Sequence, residues 1–173
     1  MRFADIPKFT SSGNYEVDCQ FPYALSFVDE MVASNGLQLD PDFQRAHVWT
    51  EQQQIAWLEF VYRGGKTGRV LYINCPDWNL RSKRGYRECV LVDGKQRLTA
   101  VRRFLQNEIP VFGHVYEEYE DARSPGNPTL KINVNDLKTR AAVLQWYIEM
   151  NAGGTPHTDA EIEKVRRLLD AER

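Results

Sequence analysis

The run "VLVDGKQRLTAVRRFL", residues 90–105, constrains the fold more tightly than any other stretch of the chain. Val90 to Val92 is an apolar run of strand length, Asp93-Gly94 is a tight-turn pair, and Leu98, Val101 and Leu105 then recur at helical spacing. A strand that passes into a helix within two residues commits the chain to a sheet with a helix folded back on it. That helix, expected over about 95–106, opens with Lys95 and Arg97 and also carries Arg102 and Arg103, so positive charge gathers directly behind the turn.

The rest of the chain supplies elements of both kinds. "PYALSFVDEMVASNG" places Leu25, Val28, Met31 and Val32 at helical spacing and ends on Asn35-Gly36, a pair suited to a left-handed cap. "LQLDPDFQRAHVWT" reads as an extended segment broken at Asp40-Pro41, because the residue before proline avoids helical angles. A second helix begins after Thr50, whose spacing from Gln53 makes a capping box; Ile55, Leu58 and Val61 form its stripe, and Gly64 stops it. "RVLYINC", "ECVLVD", "IPVFG" and "TLKINV" read as short strands, and "EEYEDARSPGNP" as an exposed loop. Two final helices, "KTRAAVLQWYIEMN" and "TDAEIEKVRRLLDAE", flank "AGGTPH", the second with a Thr158–Glu161 capping box.

Helices and short strands in irregular order point to one small α/β or α+β domain over residues 1–173, a length that suits a single core and not two. Composition is ordinary for a globular chain, with 42% hydrophobic and 27% charged residues, and no stretch approaches the ~20 apolar residues of a membrane helix. The N-terminus lacks an apolar segment followed by a cleavage site, so a cytoplasmic protein without membrane contact is expected. Cys19, Cys75 and Cys89 form no CxxC pair and lie away from any histidine cluster, the pattern of reduced core thiols. A net charge of -2 argues against a chain that coats nucleic acid with its whole surface.

Two stretches invite a phosphate reading. "GGKTG" at 64–68 imitates the end of a P-loop, but Phe60 stands where the first glycine belongs and the order is helix then strand, so a C-cap and polar turn are expected. The Asp93-Gly94 turn is the stronger candidate. A helix N-terminus offers unpaired backbone amides and a partial positive charge, glycine lets an anion approach, Arg97 brings a planar donor fork, and Lys95 brings a compact charge. Gln96 has an amide able to position an attacking water, and Thr99 lies one turn further on. Asp93 has two available jobs, holding Mg²⁺ or orienting a nucleophile on one side and capping the helix on the other. The competing reading is a common Asp-Gly turn before a solvated basic helix face.

"DWNLRSKRGYR" interleaves Trp78 and Tyr86 with Arg81, Lys83, Arg84 and Arg87, a composition suited to stacking on bases and gripping a phosphate backbone, though such runs are also ordinary solvated loops. Between residues 78 and 103 eight basic side chains face Glu88 and Asp93, a local balance of +6. His47 and His157 read as structural.

Residues 93–97 resemble the Asp-Gly-Gln-Gln-Arg motif of the N-terminal domain in modification-dependent restriction enzymes of the GmrSD type, a branch of the ParB and sulfiredoxin-like superfamily. "DPDFQRAHVWTEQQQIAWLEFVYRGG" is similar to the family's Pro-x-Phe-Gln-Arg-x-x-x-Trp segment and following helix, and "YIEMNAGGTPHTDAEI" to its Asn-x-Gly-Gly-Thr-Pro-Leu segment. The three motifs stand in the family's order over about residues 20–165. The resemblance implies a single ParB-like domain, a small mixed sheet surrounded by helices, that binds and hydrolyses a nucleoside triphosphate with Mg²⁺. It carries over Asp93, Gly94, Gln96 and Arg97 at the turn, Gln44 and Arg45 in the first segment, and Asn151, Gly153 and Gly154 in the last. Lys95 replaces the motif's first glutamine, which puts in doubt any step needing that amide. The sequence ends at Arg173, where the family's restriction enzymes continue into an HNH nuclease domain, so self-contained HNH cleavage is not expected. The expected partners are the nucleotide, DNA, and a separately encoded nuclease or restriction enzyme. Open alternatives are a non-enzymatic regulator, a kinase acting on a DNA base hydroxyl or small molecule, and a DNA-nicking nuclease.

Overall fold

Alternation along the strands decides how the sheet is covered. In the computed structural model, which describes residues 2–6, 14–44, 48–76, 78, 86–121, 128–151 and 159–172, Leu71 and Ile73, Leu91, and Leu130, Ile132 and Val134 are buried together in one core cluster. Val90 and Val92, one residue out of step with Leu91, are buried in another. The strands therefore need helices on both faces.

The elements run β1 (Tyr15–Gln20), α1 (Phe21–Asn35), α2 (Glu51–Tyr62), β2 (Val70–Asn74), β3 (Val90–Asp93), α3 (Lys95–Leu105), β4 (Thr129–Asn135), α4 (Arg140–Asn151) and α5 (Asp159–Ala171), with short 3-10 turns at Phe3–Asp5 and Tyr116–Glu118. The strands form one mixed four-stranded sheet in the order β1-β4-β2-β3. β1 runs antiparallel to β4, β4 parallel to β2, and β2 antiparallel to β3. Ala24, Val28 and Met31 of α1, Leu58 and Val61 of α2, and Leu98, Val101 and Phe104 of α3 cover the first face. Val143, Leu144, Trp146 and Tyr147 of α4, with Val165 and Leu169 of α5, cover the β3 side of the second. The result is an α+β domain, and none of its described helices is long and apolar enough to cross a membrane.

Local signals placed the helices well. Thr50 and Gln53 form the expected reciprocal cap, with Thr50 N–H donating to Gln53 Oε1 at 2.8 Å and Gln53 N–H donating to Thr50 Oγ1 at 3.3 Å. α1 ends on Gly36 at φ 65°, as the Asn-Gly pair required. Its buried face is nevertheless rotated from the expected one. Phe21, Ala24, Val28 and Met31 point inward, and Val32 is 40% exposed. β1 passes into α1 with no intervening loop, so the strand fixes the helix's rotation.

Two strand readings needed correction. "IPVFG" is not a strand of the sheet. Val111 and His114 exchange backbone hydrogen bonds at 2.8 and 3.0 Å around Phe112 (φ 48°) and Gly113 (φ 82°), which makes an isolated two-residue turn. β1 was not anticipated, because its "YEVDCQ", with no residue fully buried, carries little apolar signal; backbone pairing with β4, Tyr15 opposite Val134, defines it.

Candidate functional site

β3 is at the sheet's edge, yet its outer backbone is not open. Gln38 N–H donates to Cys89 O, Leu91 N–H donates to Gln38 O, both at 2.9 Å, and Gln44 Nε2 donates to Leu91 O at 2.7 Å. The 38–44 segment therefore lies alongside the strand that delivers Asp93 to the candidate corner.

At that corner the strand ends, the turn forms and α3 begins under one set of bonds. Asp93 Oδ1 accepts from Gly94 N–H at 2.7 Å, and Oδ2 accepts from Arg97 Nη2 at 3.2 Å, one helical turn later. Arg97 Nη1 also donates to Val70 O at 2.5 Å, which ties the helix start to β2. Gly94 is at φ 112°, and a Cβ there would meet Leu71 Cδ2 at 2.5 Å and Leu71 Cα at 3.2 Å. The glycine is thus required by the chain's own neighbouring strand, beyond any ease it gives an incoming anion. The amides of Lys95, Gln96 and Arg97 belong to the helix's first turn, where no intrahelical acceptor exists, and the first helical bond is Leu98 N–H to Gly94 O.

The basic side chains behind the turn all have carboxylate neighbours. Lys95 pairs with Asp40 at 2.6 Å and Arg102 with Asp29 at 2.5 Å, while Arg103 contacts Glu51 at 2.8 Å and Glu108 at 3.1 Å. Arg102 and Arg103 therefore fasten α3 to α1, to α2 and to the turn after α3. Lys95 and Arg97 differ in being at the corner itself, held by Asp40, which is 68% exposed, and Asp93, which is 37% exposed. Lys95 and Arg97 themselves are only 20% and 22% exposed, so each pair is open to solvent mainly on its carboxylate side.

Gln96 is buried, and its Oε1 accepts from Val48 N–H at 3.2 Å and Trp49 N–H at 3.0 Å. The oxygen nominated for a water thus holds the approach to α2. Replacing Gln96 by Leu should expose those amides to faster hydrogen exchange and cost about 1–2 kcal/mol in urea unfolding; unchanged protection at Val48 and Trp49 would contradict this role. Thr99 Oγ1 donates to Lys95 O at 2.9 Å, a bond along the helix. Gln44 Oε1 is buried with no hydrogen-bond donor against it among the described residues.

The first and last motif segments meet through residues 40–44. The Phe43 ring packs on Tyr147 of α4 with centroids 5.2 Å apart, Arg140 pairs with Asp42 at 2.8 Å, and Lys164 Nζ donates to Asp42 O at 2.6 Å. Asn151, one turn beyond Tyr147, donates from Nδ2 to Tyr147 O at 2.7 Å. Arg45, His47, Arg81, Lys83, Arg84, Gly153, Gly154, His157 and Thr158 lie outside the described residues. Trp78 is near none of these groups in its ring contacts: it packs against Tyr15 at 5.7 Å and Phe27 at 5.9 Å, where it serves the core's margin. Arg87 is exposed on the approach to β3. Asp40 is the corner residue the sequence did not single out, since an Asp before Pro carries only a turn signal.

Among the described residues no three His, Cys, Asp or Glu side chains are grouped to hold a metal. Asp93 alone fits Mg²⁺ only in the usual nucleotide manner, one or two carboxylates completed by phosphate oxygens and water.

A family model described as the GmrSD restriction endonuclease, N-terminal domain, matches residues 28–127. The match takes in the 38–44 segment and the β3–α3 corner and ends before the Asn151 segment. No curated protein and no solved structure matches the chain.

Proposed function

The chain belongs to the family of GmrSD restriction endonuclease N-terminal domains, and from that premise we propose that it binds a nucleoside triphosphate with Mg²⁺ at the β3–α3 corner and hydrolyses the γ-phosphate in the cytoplasm, as part of DNA modification, restriction or counter-defence. With this reading goes its place in the ParB and sulfiredoxin-like superfamily. The observation that carries it is the two ion pairs at the start of α3: two cations beside first-turn amides, each held by a carboxylate of limited burial.

In the bound state Arg97 turns its Nη2 from Asp93 to a phosphate oxygen, while Nη1 stays on Val70 O and keeps the fork in place. Lys95 exchanges Asp40 for a second phosphate oxygen, and the amides of residues 95–97 donate to the same group. The Asp93 carboxylate, freed on one oxygen, would hold Mg²⁺, which would supply charge neutralisation at the phosphates. Gln96 acts as a positioning residue by holding Val48 and Trp49. Gln44 Oε1, buried and without a donor among the described residues, suits a hydroxyl or amine donor on the nucleoside. Water is the acceptor in this reading.

Measuring phosphate release from each common nucleoside triphosphate, with Mg²⁺ and with a chelator, tests the proposal. Release that depends on Mg²⁺ is expected. Neither binding nor release with any of them would end it, and labelled phosphate found on DNA or a small molecule would make the protein a kinase instead.

A second reading has one observation in its favour: most of the motif side chains already have partners within the fold. On it, the domain is a non-enzymatic module that contacts DNA through the 81–87 loop or docks a separately encoded nuclease. Gel shifts weakening steeply as salt rises, with no nucleotide turnover, would support it.

A further inference from the structure

The mouth of the 76–88 connection is closed by two thiols. The β2–β3 ladder sets Ile73 opposite Leu91 and Asn74 opposite Val90, so one further step brings Cys75 against Cys89. Both are buried and reduced, and their thiols are hydrogen-bonded to each other. Facing residues on antiparallel strands have Cα atoms roughly 4.5–5.5 Å apart, inside the ~4.4–6.8 Å range a disulfide spans. The two backbones are also anchored, Cys75 N–H to Asn135 O at 2.7 Å and Cys89 O to Gln38 N–H at 2.9 Å, so the sulfur atoms are held at the meeting point.

We propose that Cys75 and Cys89 are a reversible dithiol–disulfide pair that ties the two ends of the 76–88 connection together. The oxidant is a small disulfide such as glutathione disulfide. One thiol loses its proton and attacks that disulfide, releasing one glutathione and leaving a mixed disulfide; the second thiol, also deprotonated, displaces the other glutathione. Two thiols are oxidised to one S–S bond, and one glutathione disulfide is reduced to two glutathione molecules. The closed ring contains Trp78, the exposed Arg87 and, in sequence, the chain's basic run. Cys75's hydrogen bond and burial push the Cys89 pKa up, so exchange is slow and proceeds when the strand ends open. Cys19, in β1, is only partly buried and provides an internal control.

The test is to equilibrate the intact chain in glutathione redox buffers with urea below the unfolding transition, quench with acid, alkylate and map the peptides. A Cys75–Cys89 linked peptide is expected, with Cys19 in no protein crosslink, alkylated or carrying glutathione, and the linked form should unfold at higher urea than the reduced form. Full alkylation of Cys75 and Cys89 in the most oxidising buffer, or a bridge that includes Cys19, would overturn the proposal. Cys89→Ser should leave Cys75 as a glutathione adduct without a crosslink. Should that variant fail to fold, the wild-type map decides.

Discussion

Arg97→Ala is expected to lower phosphate release by roughly 10²–10³-fold, the loss typical when a positioned donor to developing phosphate charge is removed. The side chain has two jobs that separate experimentally. Its bond to Val70 O is part of the fold, and its bond to the half-exposed Asp93 carboxylate is the one a phosphate would replace. Since Asp93 is 37% exposed, the pair itself adds little to stability, and the cost of the variant, about 2 kcal/mol in urea unfolding, comes mainly from the strand carbonyl left without its charged donor. Arg97→Lys keeps a charge without the fork, so it should recover part of the binding and little of the turnover. Equal release from wild type and Arg97→Ala would remove Arg97 from the reaction, whatever the stability measurement showed.

Gly94→Ala should cost about 3 kcal/mol or more, among the largest effects of any single methyl in this chain. Two penalties coincide there: φ 112° is a region that side chains with a Cβ avoid, and the added carbon would lie 2.5 Å from Leu71 Cδ2 and 3.3 Å from Val70 O. Relief requires α3 to move off β2, which would also stretch Arg97 from Val70 O. Gly36→Ala is the matched control. It has φ 65° with nothing within 4 Å of its Cβ, so only backbone strain remains and about 1 kcal/mol is expected. Similar losses for the two variants in urea denaturation would show that β2 is not the constraint at the turn.

Features that depend on near neighbours were legible in the chain alone. The strand–turn–helix at 90–105, the Thr50–Gln53 cap, the Asn35-Gly36 stop and the five helices follow from propensity, spacing and capping, all of which act over a few residues. The three motif segments were legible in the same way, as residue types at fixed intervals. Tertiary structure decided the rest. β1 exists because β4 pairs with its backbone from 117 residues away, Glu16 opposite Asn133, and no local signal reports a distant strand. The charge on α3 looked like a surface in search of an anion, but Asp29, Glu51 and Glu108 reach Arg102 and Arg103 from other elements, and of the four cations only Lys95 and Arg97 stand at the corner beside the first-turn amides. Gln96 shows the same limit, since its type and spacing named it while folding placed Val48 and Trp49 on its oxygen. A sequence specifies which side chains carry donors, acceptors and charge; which of them remain for a ligand depends on the partners that the folded chain brings to each.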